Sequence, residues 1–147
     1  MQPAAELVLG SPIRRITTAS AYTCRNRIGN IAERLSEHSF ANALDISALV
    51  TVDGQMLDIL THWGPTARDL QAQASVAPGA MAGGDARALR DIGTETVTST
   101  VQRGFLRRAH QDACGIFETV LGPEANEAHR NHVHFDLAAR RRGAYCE

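Results

Sequence analysis

Polar and apolar residues alternate in some stretches of the chain, and apolar residues recur at threes and fours in another. The run IRRITTASAY, Ile13 to Tyr22, follows a Gly-Ser-Pro turn signal and is rich in β-branched residues, so it predicts a strand. In CRNRIGNIAERLSEH, Ile28, Ile31 and Leu35 fall at helical spacing, which predicts a short helix or an ordered loop. The segment from His38 to Leu44 has no clean period. DISALVTV and QMLDIL flank Asp53-Gly54, a two-residue hairpin signal, and are expected to be paired antiparallel strands, with His62 near the end of the second. Between Gly64 and Gly93 the composition turns to Ala, Gly, Gln and Pro, the mark of a surface excursion with a short helix over Thr66 to Ala74.

From Thr96 to Leu121 the apolar positions Val101, Phe105, Leu106, Ala109, Ala113, Ile116, Phe117 and Val120 trace one face of an amphipathic helix, which Gly122-Pro123 would stop. HVHFDLA alternates as a strand does, and the RRRG after it is expected to be solvated. There are no internal repeats. This order of elements predicts an α+β fold built on a small antiparallel sheet flanked by helices. A chain of 147 residues is one domain's worth, so residues 1–147 are expected to form a single domain with the excursion at 64–93. A core of that size needs no metal to fold, so a bound metal would serve function.

Charge narrows the partners. A formal charge of −1 and a pI near 6.6 give no electrostatic footprint for nucleic acid or an anionic membrane surface. Every basic residue is arginine, a bias to which we attach no function. No apolar stretch is long enough to predict a membrane span, and Met1 to Gly10 lacks the layout of a signal peptide. Cys24, Cys114 and Cys146 show no CxxC spacing. One bridge and one free thiol is the simplest oxidised arrangement, and three buried reduced cysteines the alternative.

The histidines carry the candidate chemistry. In a strand His132, His134 and Asp136 share one face, with neighbours about 7 Å apart along the chain. His38 and Asp45 offer one nitrogen and one oxygen ligand, and His134 would complete a His, Asp, His set that leaves the fourth tetrahedral position to water. Zinc in such an open site lowers the pKa of its water and polarises a carbonyl or phosphoryl oxygen, so hydrolysis is the natural chemistry. His132 is then placed to take the proton. His129 would orient water or substrate, or else be a surface loop residue. His62 and His110 are expected to be structural or exposed.

These residues also resemble a known group. Ser36, His38, Asp45, His132 and His134 match S-x-H, six residues, D, then H-x-H, the signature shared by D-Ala-D-Ala carboxypeptidases, VanX-type dipeptidases and the penicillin-insensitive murein endopeptidase. YTCR at 22–25, ACGIFETVLGPEAN at 113–126 and the terminal YCE further resemble the bacterial extensin-like C-terminal domain, a relative of those zinc peptidases. The resemblance runs from about Gly10 to Cys146, apart from 64–93. It implies an LAS/Hedgehog-type peptidase fold, Zn2+ held by His38, Asp45 and His134, peptidoglycan peptides as substrate, and a periplasmic or secreted protein. Arg25 falls where many such peptidases have a Tyr-Arg or similar pair next to the site; a guanidinium there would stabilise an oxyanion or grip a terminal carboxylate, the alternative being a surface arginine packed beside Cys24. Relatives often have a further cysteine upstream, which would make the unpaired thiol its partner.

Two departures from that pattern bear on activity. Relatives usually have glycine at the position of Ala41, where a positive φ would strain alanine by roughly 1 kcal/mol. The carboxypeptidase branches place a glutamate where Asn131 stands, so His132 would have to act as base, as in the endopeptidase-like branch. The expected function is a zinc-dependent hydrolase of peptidoglycan peptide bonds, with D-Ala to diaminopimelate crosslinks the leading bond. The alternative is a non-catalytic wall-binding module that retains the metal site. An iron facial triad is a third reading, weighed down by the six residues between His38 and Asp45.

Overall fold

The computed structural model describes residues 1–27, 32–75 and 92–147. It is an α+β architecture around a mixed sheet. Helix α1 (Gln2–Leu9) is followed by strand β1 (Ile13–Ser20), a 3-10 turn (Glu37–Phe40), the strands β2 (Ala43–Thr51) and β3 (Met56–Asp58), and the helices α2 (Ile59–His62) and α3 (Ala67–Ser75). Helix α4 (Ile92–Ala113) leads to strand β4 (Thr119–Leu121), a second 3-10 turn (Glu127–His129), and strands β5 (Val133–Asp136) and β6 (Tyr145–Cys146). The strands order as β1-β2-β5-β4-β6, with β3 also on β2.

The order of elements predicts an antiparallel sheet, but the sheet is mixed. β6 runs parallel to β4, Thr119 opposite Tyr145 and Val120 opposite Cys146, and a disulfide joins Cys146 to Cys114 at the end of α4. Cys24 is free and exposed. The bridge fits an extracellular or periplasmic setting. Among the described residues no helix is long and apolar enough to cross a membrane.

Alternation puts Val133 and Phe135 of β5 on the core face and His134 and Asp136 on the other. The core face packs on Ala5 and Leu9 of α1, Phe105, Leu106 and Ala113 of α4, and Trp63. Around Trp63 the arginine Arg107 lies over the indole, bonds the Trp63 and Pro65 carbonyls, and pairs with Glu124 at 2.9 Å. Glu124 also accepts from the Ala67 N–H. Arg68 completes the clamp by donating to the Pro123 and Glu124 carbonyls. These bonds fix the start of the 122–130 segment, which ends in the second 3-10 turn.

Several local expectations differ from the structure. The hairpin around Asp53-Gly54 forms, with Gly54 at φ 92, but β3 ends at Asp58. His62 therefore lies on α2 and not at a strand end, because the Asp58 carboxylate accepts from the Thr61 N–H and starts a helix there. The short helix of the 64–93 excursion is α3, while residues 76–91 lie outside the described residues, as do Ile28 and Ile31 of the segment read as a helix or loop. What is described around that segment is a loop bridged at Asn26 and Leu35. Helix α4 stops at Ala113, not Leu121, because Gly115 turns the chain at φ 88 and Thr119 to Leu121 pair with β5. Ile116 is accordingly exposed, and Phe117 packs on Phe135 from outside any helix. The arginine run after β5 is solvated at Arg141 and Arg142 but not at Arg140, which bonds Thr119 and Asp136.

Ala41 has the positive φ that its place in the sequence foreshadowed, at φ 53 and ψ 30. Its N–H closes the 3-10 turn on the Glu37 and His38 carbonyls. Glycine adopts this conformation without the Cβ penalty, so Ala41→Gly is expected to stabilise the protein by up to about 1 kcal/mol, less the entropy that glycine regains on unfolding. Urea denaturation checks this; a variant less stable than the parent would mean that the turn is unstrained.

Candidate metal centre

Two strands and one turn bring the three candidate ligand side chains together. Asp45 on β2 lies directly opposite His134 on β5 in the antiparallel register, so both project from the same face. His38 comes from the 3-10 turn before β2. Buried Ser36 caps that turn by accepting from the His38 N–H, which gives the serine of the S-x-H motif a structural role. Thr23 N–H donates to the His38 carbonyl at 3.2 Å and ties the turn to the end of β1.

All three side chains are buried, and their ligand atoms lie within 4.8 Å of one another. His38 Nε2 is 3.1 Å from Asp45 Oδ1 and from His134 Nδ1, and His134 Nδ1 is 2.8 Å from Asp45 Oδ1. Zinc bonds of about 2.0–2.2 Å in a tetrahedron set ligand atoms roughly 3.3–3.5 Å apart, so small outward shifts admit the ion. The outer ring nitrogens have acceptors of their own. His38 Nδ1 donates to the Ala21 carbonyl at 2.5 Å, and His134 Nε2 donates to Asp136 Oδ2 at 3.1 Å. With those protons directed outward, two imidazole lone pairs and a carboxylate face one point, and only a cation satisfies all of them. The group can hold a metal ion.

Burial alone would lower the His134 pKa, but its hydrogen bonds to Asp136 and Asp45 and their charges outweigh burial and raise it to about 9. Burial likewise raises the Asp45 carboxyl, yet the His134 hydrogen bond and the charges of His132, His38 and His134 bring it below the ordinary carboxylate value.

His132 and His129 complete the cluster from outside the ligand set. His132 immediately precedes β5, half-buried, with Nε2 3.7 Å from Asp45 Oδ2. Its Nδ1 donates to the Asn131 side-chain carbonyl at 2.8 Å, and His129 Nδ1 donates to that of Asn126 at 2.9 Å. The two rings are 5.2 Å apart, and His129 is 5.9 Å from the His134 ring. Burial lowers His132, reinforced by the charges of His134, His38 and Arg25 and opposed by Asp45. Burial and the charges of His132 and His134 bring His129 down to about 4. Both are therefore neutral near pH 7, with Nε2 free of a proton.

Arg25 is half-buried, and its main chain is fastened to the turn carrying His38. Its N–H donates to Ser39 Oγ at 2.9 Å, and its carbonyl accepts from the Ser36 N–H at 3.0 Å. The guanidinium charge acts on both His129 and His132. His62 and His110 lie apart from this cluster: His62 Nδ1 bonds Asp58 and Thr61, and His110 stacks edge-on against Trp63.

The sequence did not disclose the roles of Asn126, Asn131 and Asp136. The strand period puts Asp136 on the face of His134, which was a usable signal; the asparagine bonds depend on loop geometry that no spacing encodes.

These shifts give a signed pH dependence for the metal-free protein. His134, raised from 6.5 to about 9, contributes stability that is complete below about pH 6.5 and is lost as pH rises through 9. His129, depressed to about 4, contributes stability present above about pH 6.5 and lost as pH falls through 4. Chelator-treated protein should therefore show urea midpoints that decline on both sides of about pH 6.5. Added zinc should flatten the alkaline decline, since it displaces the proton on His134; an unchanged alkaline limb would contradict metal binding at that nitrogen.

The family model described as extensin-like protein C-terminus matches residues 1–83 and 85–147. No curated protein and no solved structure matches the chain. With the family match running through the turn of His38, the strand of Asp45 and the H-x-H segment, the chain belongs to the extensin-like protein C-terminus family.

Proposed function

We propose that this protein is a zinc-dependent hydrolase of peptide bonds in bacterial peptidoglycan, acting in the periplasm or outside the cell. The observation that carries the reading is the outward commitment of one nitrogen on each of His38 and His134, which leaves a buried, three-donor, cation-demanding point beside a neutral histidine. Wall peptides as substrate, and D-Ala to diaminopimelate crosslinks as the leading bond, rest on the resemblance of the S-x-H, D and H-x-H residues to the murein peptidases. The disulfide supports the compartment.

His38, Asp45 and His134 would hold a zinc ion, which would supply Lewis acidity at the scissile carbonyl and acidify water beside it. His132 Nε2 accepts a proton from the water that adds to the scissile carbonyl, then returns it to the amine as the C–N bond breaks. Asn131 holds His132 in the tautomer this needs, since its carbonyl keeps the proton on Nδ1. The asparagine found where related branches have a glutamate thus supports a histidine base. Arg25 offsets the negative charge that develops on the carbonyl oxygen, and His129 Nε2 accepts a hydrogen bond from substrate or solvent.

The test is digestion of purified crosslinked muropeptides, followed by chromatography and mass spectrometry. Cleavage is expected with zinc, lost on chelation and restored on adding zinc back. Stoichiometric zinc with no cleavage of any crosslinked or stem peptide would favour the non-catalytic wall-binding module, and bound iron with oxygen-dependent turnover would favour the facial-triad reading.

A further inference from the structure

His134 meets the cluster through Nδ1, and the side chain that fixes which nitrogen it offers is Asp136, two residues along the same strand. Asp136 is 3 % exposed, and each of its oxygens is committed. Oδ1 accepts from the Ala138 N–H at 3.0 Å. Oδ2 receives His134 Nε2 at 3.1 Å and Arg140 Nη2 at 3.3 Å. Arg140 is held in turn by Thr119 Oγ1, 3.0 Å from its Nε and 2.5 Å from its Nη2. Thr119 is buried on β4, directly opposite Asp136 in the β4–β5 register. A carboxylate fastened at both oxygens cannot follow a rotating imidazole, so the ring must conform to it.

We propose that Asp136, latched by Arg140 and Thr119, is the positioning residue that holds the His134 proton on Nε2 and aims Nδ1 at the metal. A carboxylate on the far nitrogen of a ligating imidazole fixes its tautomer and orientation and raises the basicity of the ligating nitrogen. Arg140 acts by holding that carboxylate in place, through its bonds to Asp136 Oδ2 and Thr119 Oγ1. The inference rests on the reading that the cluster binds a metal and adds to it which residues outside the ligand set determine the affinity.

Zinc affinity of the whole chain, measured by competition with a chromophoric chelator, tests it, together with nitrogen-15 NMR of the zinc-loaded histidine rings. Asp136→Ala is expected to weaken zinc binding by about 10–100-fold. Asp136→Asn, which keeps an oxygen acceptor, should recover part of that loss and retain the His134 Nε2–H signal. Arg140→Ala should weaken binding in the same direction by a smaller factor while the far-UV spectrum is unchanged. Should Asp136→Ala fail to fold, Asp136→Asn and Arg140→Ala still decide. Wild-type affinity in the folded variants, or an asparagine variant no better than the alanine one, overturns the positioning role alone. A wild-type protein that takes up no zinc overturns both this role and the metal centre.

Discussion

Asp45→Asn is expected to leave the protein folded and to lower its zinc affinity by more than the roughly 100-fold that loss of an outer partner costs. The substitution keeps the size and the hydrogen-bonding oxygen of a residue opposite His134 in the middle of a register, so β2 and β5 should still pair. It removes the negative charge that faces His38 Nε2 and His134 Nδ1 at 3.1 and 2.8 Å. The same loss should lower the His134 pKa, since one of the two carboxylates that raise it is gone. Isothermal titration with zinc and an NMR titration of His134 read these two effects separately. Wild-type zinc affinity in a folded Asp45→Asn protein would show that the ion is held elsewhere.

The second large effect is expected at His132. His132→Ala should reduce muropeptide cleavage by about 10²–10⁴-fold, the usual contribution of a positioned general base, while one zinc per chain remains bound. Its Nε2 lies 3.7 Å from Asp45 Oδ2, which puts the ring beside the ligands and outside their closest contacts. Because burial and neighbouring positive charge depress His132 below 6.5, the acid limb of the rate profile should lie below that pH, and a bound dication should push it lower still. Loss of zinc along with activity would make His132 a ligand. Full activity with zinc retained would transfer the role of base to another group, with His129 the first to examine.

How much of this was legible in the sequence depended on whether a residue's role came from chain period or from tertiary contact. The strand period of VHFD put His134 and Asp136 on one face, and the hairpin signal at Asp53-Gly54 placed the strand that carries Asp45. Helix α1 gave little signal because only Ala5 and Leu9 of its residues are buried while Leu7 points to solvent. Besides those two core contacts, the Gln2 side chain fastens it to β1 by bonding both the N–H and the carbonyl of Ile13. The overrun of helix α4 has a similar cause: Ile116, Phe117 and Val120 continue the helical spacing by coincidence, and the turn at Gly115 together with pairing to β5 overrides it. The parallel strand β6 is two residues long and carries no period at all.

At the site, the ligand types and their spacing could be read, but the tautomers could not. Those depend on the Ala21 carbonyl, the Asn126 and Asn131 side chains and the latched Asp136, contacts made across turns and between strands. Ala41 lies between the two cases. Its position in the motif raised the question of a positive φ, and the backbone shows one.

The most direct measurement is a crystal structure of zinc-loaded protein with anomalous data collected on both sides of the zinc edge. One peak is predicted, bounded by His38 Nε2, an Asp45 oxygen and His134 Nδ1, with the His134 Nε2 to Asp136 hydrogen bond intact. An anomalous peak at any other residues, or none in protein soaked at saturating zinc, would contradict the account.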